Sequence, residues 1–163
     1  SQRLRSAIDR RRGLPRDCWL SSPRYIVKLD YQGPDPEPIG YLLIDDFSMM
    51  AFVSATEPLR IANRIADRAL FRWLLISETG DPVTASNGMR LLADHAMAEV
   101  AYLPSLAICS GFLTEAGPSP ALVRWLHRLD AQGSALGGID TGCFTLASAG
   151  LLDGASFVAP DLA

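Results

Sequence analysis

The chain has 163 residues, of which 48% are hydrophobic and 20% charged, enough apolar content for one domain with a proper core, so disorder of the whole chain is excluded. Its net charge of -3 hides an asymmetry: residues 1–28 hold eight basic and two acidic side chains, leaving seven basic and sixteen acidic ones, net -9, for the remainder. That acidic remainder is a poor match for nucleic-acid phosphates, and no apolar run reaches the length of a membrane span, so a soluble, cytoplasmic protein without a membrane partner is expected.

In chain order, Arg3, Arg5, Arg10, Arg11, Arg12 and Arg16 form a basic opening without helical apolar spacing, which reads as a solvated tail. Tyr25 to Leu29 has the composition of a short strand. Gly33 to Pro38 carries three prolines that remove donors and fix the backbone, so residues 1–38 are assigned to an extension and linker, and 39–163 to the compact domain. Ile39 to Ile44 is a continuous apolar run of strand length, as expected of a strand buried on both faces of a parallel sheet. Ser48 is placed to cap a helix over Met49 to Arg68, with Met50, Phe52, Val53, Ala55, Leu59, Ile61, Ala62 and Ile65 near helical spacing and Pro58 as a kink or restart.

Phe71 to Ser77 reads as the second strand. Pro82 to Ser86 and Met89 to Ala93 flank Asn87-Gly88 as a hairpin, and Asp94 to Val100 as a short helix. Leu106 to Cys109 is a buried strand running into Ser110-Gly111-Phe112. Pro120 to Gln132 is an amphipathic helix, with Leu122, Val123, Leu126 and Leu129 on one side. Ala135 to Ile139 is the last strand, and Asp140-Thr141-Gly142 makes a tight turn into a helix from Phe144 to Leu152.

This alternation predicts an α/β fold with a doubly wound, mostly parallel sheet flanked by helices, whose ligands sit beyond the carboxyl ends of the strands. Three segments would meet there: Asp45 to Ser48, Ser110 to Phe112, and Asp140 to Gly142. The last has the form of a nucleophile elbow, a strand-to-helix turn that normally exposes a Ser or Cys. Here the exposed position is Asp140, which fits either a structural cap or a partner for a cationic ligand head. Phe47, Phe52, Phe112 and Phe144 lie near the crevice in sequence and read first as core. Cys18, Cys109 and Cys143 lack paired spacing, so reduced thiols are expected. His95 and His127 share no metal-ligand spacing, and neither metal nor cofactor is assigned.

The segments DDFSMMAFVSATEPLRIANR, FRWLLIS, ASNGM, CSGF and GGIDTGCFTLASAGLLDG, in that order, resemble the sensor domain of GlxA-type transcriptional regulators of the AraC class. The match covers about Ile39 to Gly154 and looks closest to the carnitine catabolism regulator type, a subset that senses quaternary amines. The resemblance implies a flavodoxin-like fold of the PfpI and class I glutamine amidotransferase type. It also implies a small-molecule effector, homodimerisation through the sensor, and DNA binding by helix-turn-helix units that are absent from this chain. The implied pocket lies beside the elbow, and the three converging segments supply its expected ligand-site residues: Asp46, Phe47, Ser110, Gly111, Phe112, Asp140, Thr141 and Gly142. Enzymes of the same superfamily, including isocyanide hydratases and PfpI-type peptidases, need a Cys at the elbow and an acid from the first helix. Alignment puts Asp140 and Ala51 there, so no catalytic residue is assigned. The competing expectation is an amidotransferase-like hydrolase or hydratase using Cys109 or Cys143.

Overall fold

Apolar runs too short for helices and rich in Ile and Leu supply the sheet at the centre of the computed structural model, which describes residues 33–111 and 117–152. In chain order the elements are β1 (Glu37–Leu43), α1 (Met49–Ala66), β2 (Phe71–Ser77), β3 (Val83–Thr84), β4 (Arg90–Leu91), β5 (His95–Ala96), a 3-10 turn (Met97–Glu99), β6 (Ser105–Ser110), α2 (Pro120–Ala131), β7 (Ala135–Asp140) and α3 (Gly142–Ser148). β5, β2, β1, β6 and β7 form one sheet in that order, every pairing parallel. β1 runs outward to β2 and β5 on one side, and the chain then crosses to β6 and β7 on the other. The order therefore reverses between β1 and β6, the place where open α/β sheets part to admit ligands.

The pleat sorts the side chains into two cores. Leu42, Leu106, Ile108 and Leu136 point to one face, covered by Leu122, Trp125, Leu126 and Leu129 of α2 and Leu146 of α3. Ile39, Tyr41, Leu43, Ala107, Cys109 and Ile139 point to the other, beneath Phe52 of α1 and the hairpin residues Val83 and Ala85. Each fully buried Leu or Ile contributes about 1.5–3 kcal/mol, so the central strands β1 and β6 anchor both layers.

Local chemistry fixes the boundaries. Ser48 caps α1 by accepting from the Ala51 N–H at 3.3 Å, and α1 runs unbroken through Pro58. Ser119 caps α2 by accepting from Leu122 N–H at 3.0 Å, with Pro120 at the first helical position. α3 ends sooner than the apolar pattern suggests. Gly150, at φ 71°, closes it with bonds from Leu151 N–H to Leu146 C=O and from Gly150 N–H to Ala147 C=O, both 2.9 Å, the Schellman arrangement.

Four expectations need correction. β1 begins at Glu37, so the last two residues assigned to the linker belong to the sheet. The helix expected over Asp94 to Val100 is a strand followed by a 3-10 turn. Asp94 draws this segment to the edge of β2 by accepting from Leu75 N–H at 2.8 Å with its carboxylate and donating its own N–H to Leu75 C=O at 2.7 Å. The hairpin strands are two residues each, because Ala85 and Met89 close a wider loop through an N–H to C=O bond of 2.8 Å. Finally, α1 turns only part of its apolar set inward: Phe52 is buried, whereas Met50 and Ile65 are each 80% exposed. Trp125 is core, but Trp73 stands half out of the sheet surface. Tyr25 to Leu29 lies outside the described residues. No described helix is long and apolar enough to cross a membrane.

Candidate functional site

The elbow is built by glycines. β7 approaches β6 in register, Cys109 opposite Ile139 and Ser110 opposite Asp140, and the chain then folds back over its own strand. A Cβ on Gly138 would lie 2.2 Å from the Cys143 nitrogen, and one on Gly142 would lie 2.0 Å from the Ile108 carbonyl oxygen. No larger residue fits either place without moving backbone. Asp140 sits at the apex with φ 56°, a left-handed conformation that Asp tolerates better than most residues. Its side chain is exposed, while Thr141, Gly142 and Cys143 are buried behind it.

The β1 loop meets this turn through Gly111. Phe47 bridges both Gly111 and Ala85, and the Thr141 hydroxyl donates to the Gly111 carbonyl. Asp46, also left-handed at φ 63°, donates its N–H to Thr84 C=O at 2.8 Å. The neighbouring Asp45 carboxylate accepts from Thr84 N–H at 2.9 Å. The three expected segments therefore do converge at the carboxyl ends of β1, β6 and β7. Of the residues singled out there, Asp46 and Asp140 present carboxylates to solvent, and Gly111 is half-buried between them. Phe47, Ser110, Thr141 and Gly142 are buried. Phe112 lies outside the described residues.

The aromatic residues near the crevice stack on one another. Phe52 meets Tyr41 edge-to-face at 5.5 Å between ring centres and Phe47 at 5.9 Å. They form a floor beneath the β1 loop, with no open aromatic face among the three. Phe144 is half-buried on α3.

Neither described thiol is activated. Burial pushes Cys109 up to about 12 from its ordinary 9.0. Cys143 is raised as well, first by burial and further by the Asp140 carboxylate, against the lowering effect of the N–H groups of Cys143 and Phe144. Its Sγ donates 3.5 Å to the Asp140 carbonyl, pointing back into the turn. A thiol held neutral is a weak nucleophile. Ala51 stands in the first turn of α1. His95 lies on β5, at the opposite edge of the sheet from the elbow, 3.9 Å from the Glu99 carboxylate, and His127 is exposed on α2. Among the described residues no cluster of three His, Cys, Asp or Glu side chains could hold a metal.

Sequence patterns missed the docking of the hairpin on the β1 loop. Asn87-Gly88 announces a turn, but nothing local says that Thr84 and Ala85 will pair with Asp45, Asp46 and Phe47. They also missed Asn63 of α1, whose side-chain amide closes the start of β2 by bonding Leu70 and Phe71. A lone Asn in a helix gives no signal of such a role.

No family model matches the chain. It is 51% identical over 115 residues to the HTH-type transcriptional regulator CdhR of Pseudomonas aeruginosa, covering 70% of this chain and 34% of that protein. It is 37% identical over 123 residues to the HTH-type transcriptional regulator GbdR of the same species, covering 76% of this chain and 34% of that protein. It is also 37% identical over 120 residues to the HTH-type transcriptional regulator GlxA of Rhizobium meliloti, covering 73% of this chain and 37% of that protein. The chain thus spans about a third of the length of these curated relatives. Among solved structures, an AraC family transcriptional regulator from Pseudomonas putida superposes with a TM-score of 0.66 at 33% identity, over 74% of this chain and 64% of that one. A DJ-1 superfamily protein from Agrobacterium tumefaciens superposes with a TM-score of 0.53 at 19% identity, over 71% of this chain and 60% of that one, and shares the fold. The chain is therefore a homologue of AraC-type transcriptional regulators of the GlxA kind, with a DJ-1/PfpI-like, flavodoxin-like α/β domain.

Proposed function

We propose that this chain is the non-catalytic, dimerising sensor part of a cytoplasmic transcriptional regulator, and that a small cationic effector binds at the elbow. The observation that carries this reading is Asp140: the tight, glycine-dependent turn of a nucleophile elbow is kept, and its apex holds an exposed carboxylate. The elbow here presents a fixed negative charge, matched by the second exposed carboxylate of Asp46 across Gly111. Two carboxylates on one rim favour a ligand with a positive head, such as a quaternary amine or the ammonium of an amino acid. The full proposed site comprises Asp46, Phe47, Ser110, Gly111, Phe112, Asp140, Thr141 and Gly142. The buried members set the shape of the rim, and the two acids make the charged contacts. DNA binding in this reading belongs to helix-turn-helix units outside the chain.

The test is a thermal-shift series with glycine betaine, carnitine, choline and free amino acids. A cationic effector raises the melting temperature in a concentration-dependent way, because it binds the folded state alone. Flat curves across the series would overturn the cationic-effector reading. The competing hydrolase or hydratase needs a reactive thiol, and the burial of Cys109 and Cys143 weighs against it. Hydrolase or hydratase turnover abolished by thiol alkylation would establish it instead.

A further inference from the structure

Asp45 and Asp46 are neighbours in sequence and both are exposed, yet the fold gives them different tasks. In the hairpin, Val83 faces Leu91 and Thr84 faces Arg90. Along an antiparallel ladder, alternate residues turn N–H and C=O toward the partner strand, and those between turn them away. Ala85 donates its N–H to Met89 C=O at 2.8 Å, so Thr84 is one that turns away. Its two backbone groups depend on a partner outside the hairpin. The β1 loop supplies both: the Asp45 carboxylate accepts from Thr84 N–H at 2.9 Å, and Asp46 N–H donates to Thr84 C=O at 2.8 Å. A side chain and the next backbone amide together replace one residue of a third strand. Asp94 treats Leu75 in the same way at the edge of β2, with its carboxylate and its own N–H.

We infer that Asp45 is a positioning residue for the effector site: it holds the hairpin against the β1 loop and so fixes the backbone that carries Asp46. This rests on the cationic-effector reading above and adds to it a residue that acts through the hairpin. Three bonds knit the seam, the third from Ser86 N–H to Phe47 C=O at 3.0 Å, and Asp45 supplies the one side chain among them. Asp46 is left-handed at φ 63°, a conformation that persists in residues other than glycine where the surroundings enforce it. Thr84 grips it from one side. On the other side lies the bare backbone of Gly111, whose Cβ would come within 1.8 Å of the Asp46 carbonyl oxygen. Removing the Asp45 acceptor leaves Thr84 N–H without its partner, loosens the Thr84 carbonyl and releases Asp46 from one of its two holds. Asp45 also carries charge, so positioning and simple electrostatics disagree about one substitution. Asn keeps an oxygen for Thr84 N–H and loses the charge.

The experiment measures amide hydrogen exchange by NMR on the full chain, beside titration with glycine betaine, carnitine, choline and free amino acids as probes. The proteins are the parent, Asp45→Ala and Asp45→Asn. Asp45→Ala lowers the protection factors of Thr84 and Asp46 by about tenfold, because the bonds that protect the two amides open together. It weakens binding of the responding probe by about five- to tenfold. Asp45→Asn keeps both protection and affinity within about twofold of the parent. Should Asp45→Ala fail to fold, as read by circular dichroism, Asp45→Ser takes its place. Unchanged protection of Asp46 in the Ala variant overturns the positioning role. So does an equal loss of affinity in the Ala and Asn variants, which would make Asp45 a charge on the rim. A parent chain that binds none of the probes overturns the cationic-effector reading, and the protection factors still decide whether Asp45 holds Asp46.

Discussion

Gly111 and Asp46 touch through bare backbone: a Cβ placed on Gly111 would sit 1.8 Å from the Asp46 carbonyl oxygen and 2.9 Å from its carbonyl carbon. The β1 and β6 loops are pressed together at the point where the strand order reverses, so the rim depends on a missing side chain. Gly111→Ala must push the Asp46 loop away, and that loop is tied to the hairpin through Thr84. The expected cost is about 2–3 kcal/mol, read from urea denaturation, with the hairpin amides losing hydrogen-exchange protection first. A substitution tolerated within 0.5 kcal/mol, roughly the noise of surface changes, would show that the two loops are free to separate.

Asp140 separates conformation from charge. Its φ of 56° is tolerated by Asn and resisted by residues without a short polar side chain. Asp140→Asn is therefore expected to keep stability within about 0.5 kcal/mol while abolishing the thermal shift caused by a cationic effector. Asp140→Ala costs about 1–2 kcal/mol even without ligand. Asp140→Cys re-arms the elbow: the new exposed thiol is alkylated faster than buried Cys109 or Cys143, which mass spectrometry of a short iodoacetamide pulse resolves. Equal labelling of all three would mean that the apex is not presented to solvent.

Much of this fold was legible because its physics is local. β2 occupies the predicted Phe71 to Ser77, α1 begins where Ser48 announces it, and α2 begins at the expected Pro120. The convergence of three segments at the strand ends followed from strand alternation and the doubly wound rule. What escaped the sequence was set by distant partners. The 94–100 segment has helical composition, yet Asp94 pairs with Leu75, nineteen positions back in the chain, and extends the sheet. Met50 and Ile65 have the spacing of a core face, but periodicity cannot say which of two apolar faces meets the sheet. At the site, the identity of Asp140 and the core placement of Phe47 were readable, whereas the docking of Thr84 and Ala85 on the β1 loop was not.

Asn63 shows how a helix can stand in for a neighbouring strand. Its amide donates to Phe71 C=O at 2.8 Å and accepts from Leu70 N–H at 2.8 Å and Phe71 N–H at 2.9 Å. Asn63→Ala strands three backbone groups at the start of β2. At a net of about 0.5–1.5 kcal/mol per bond, partly recovered by water, the expected loss is about 2 kcal/mol in denaturant melts. Asn63→Asp is no better, because its second oxygen faces the Phe71 carbonyl with no proton to give.

Cys109 and Tyr41 share the core under the β1 loop, and both resist ionisation. Burial pushes Cys109 from 9.0 to about 12, and burial followed by the neighbouring Cys109 pushes Tyr41 from 10.0 to about 12. A group whose folded pKa lies above its unfolded value favours folding while it stays protonated in both states. That contribution is complete below the unfolded pKa and disappears as pH rises towards the folded one. Cys109 therefore withdraws stability between about pH 9 and pH 12, and Tyr41 between about pH 10 and pH 12. The neutral form of Cys109 alone accounts for a loss on the order of 2–4 kcal/mol across that window. Cys109→Ser lowers stability at neutral pH by setting a hydroxyl in an apolar slot. Cys109→Ala removes the titration and flattens the first part of the alkaline decline. Urea midpoints measured from pH 7 to pH 11 for the parent chain and Cys109→Ala read this directly. Parallel declines for the two proteins would show that the thiol already titrates freely in the folded state.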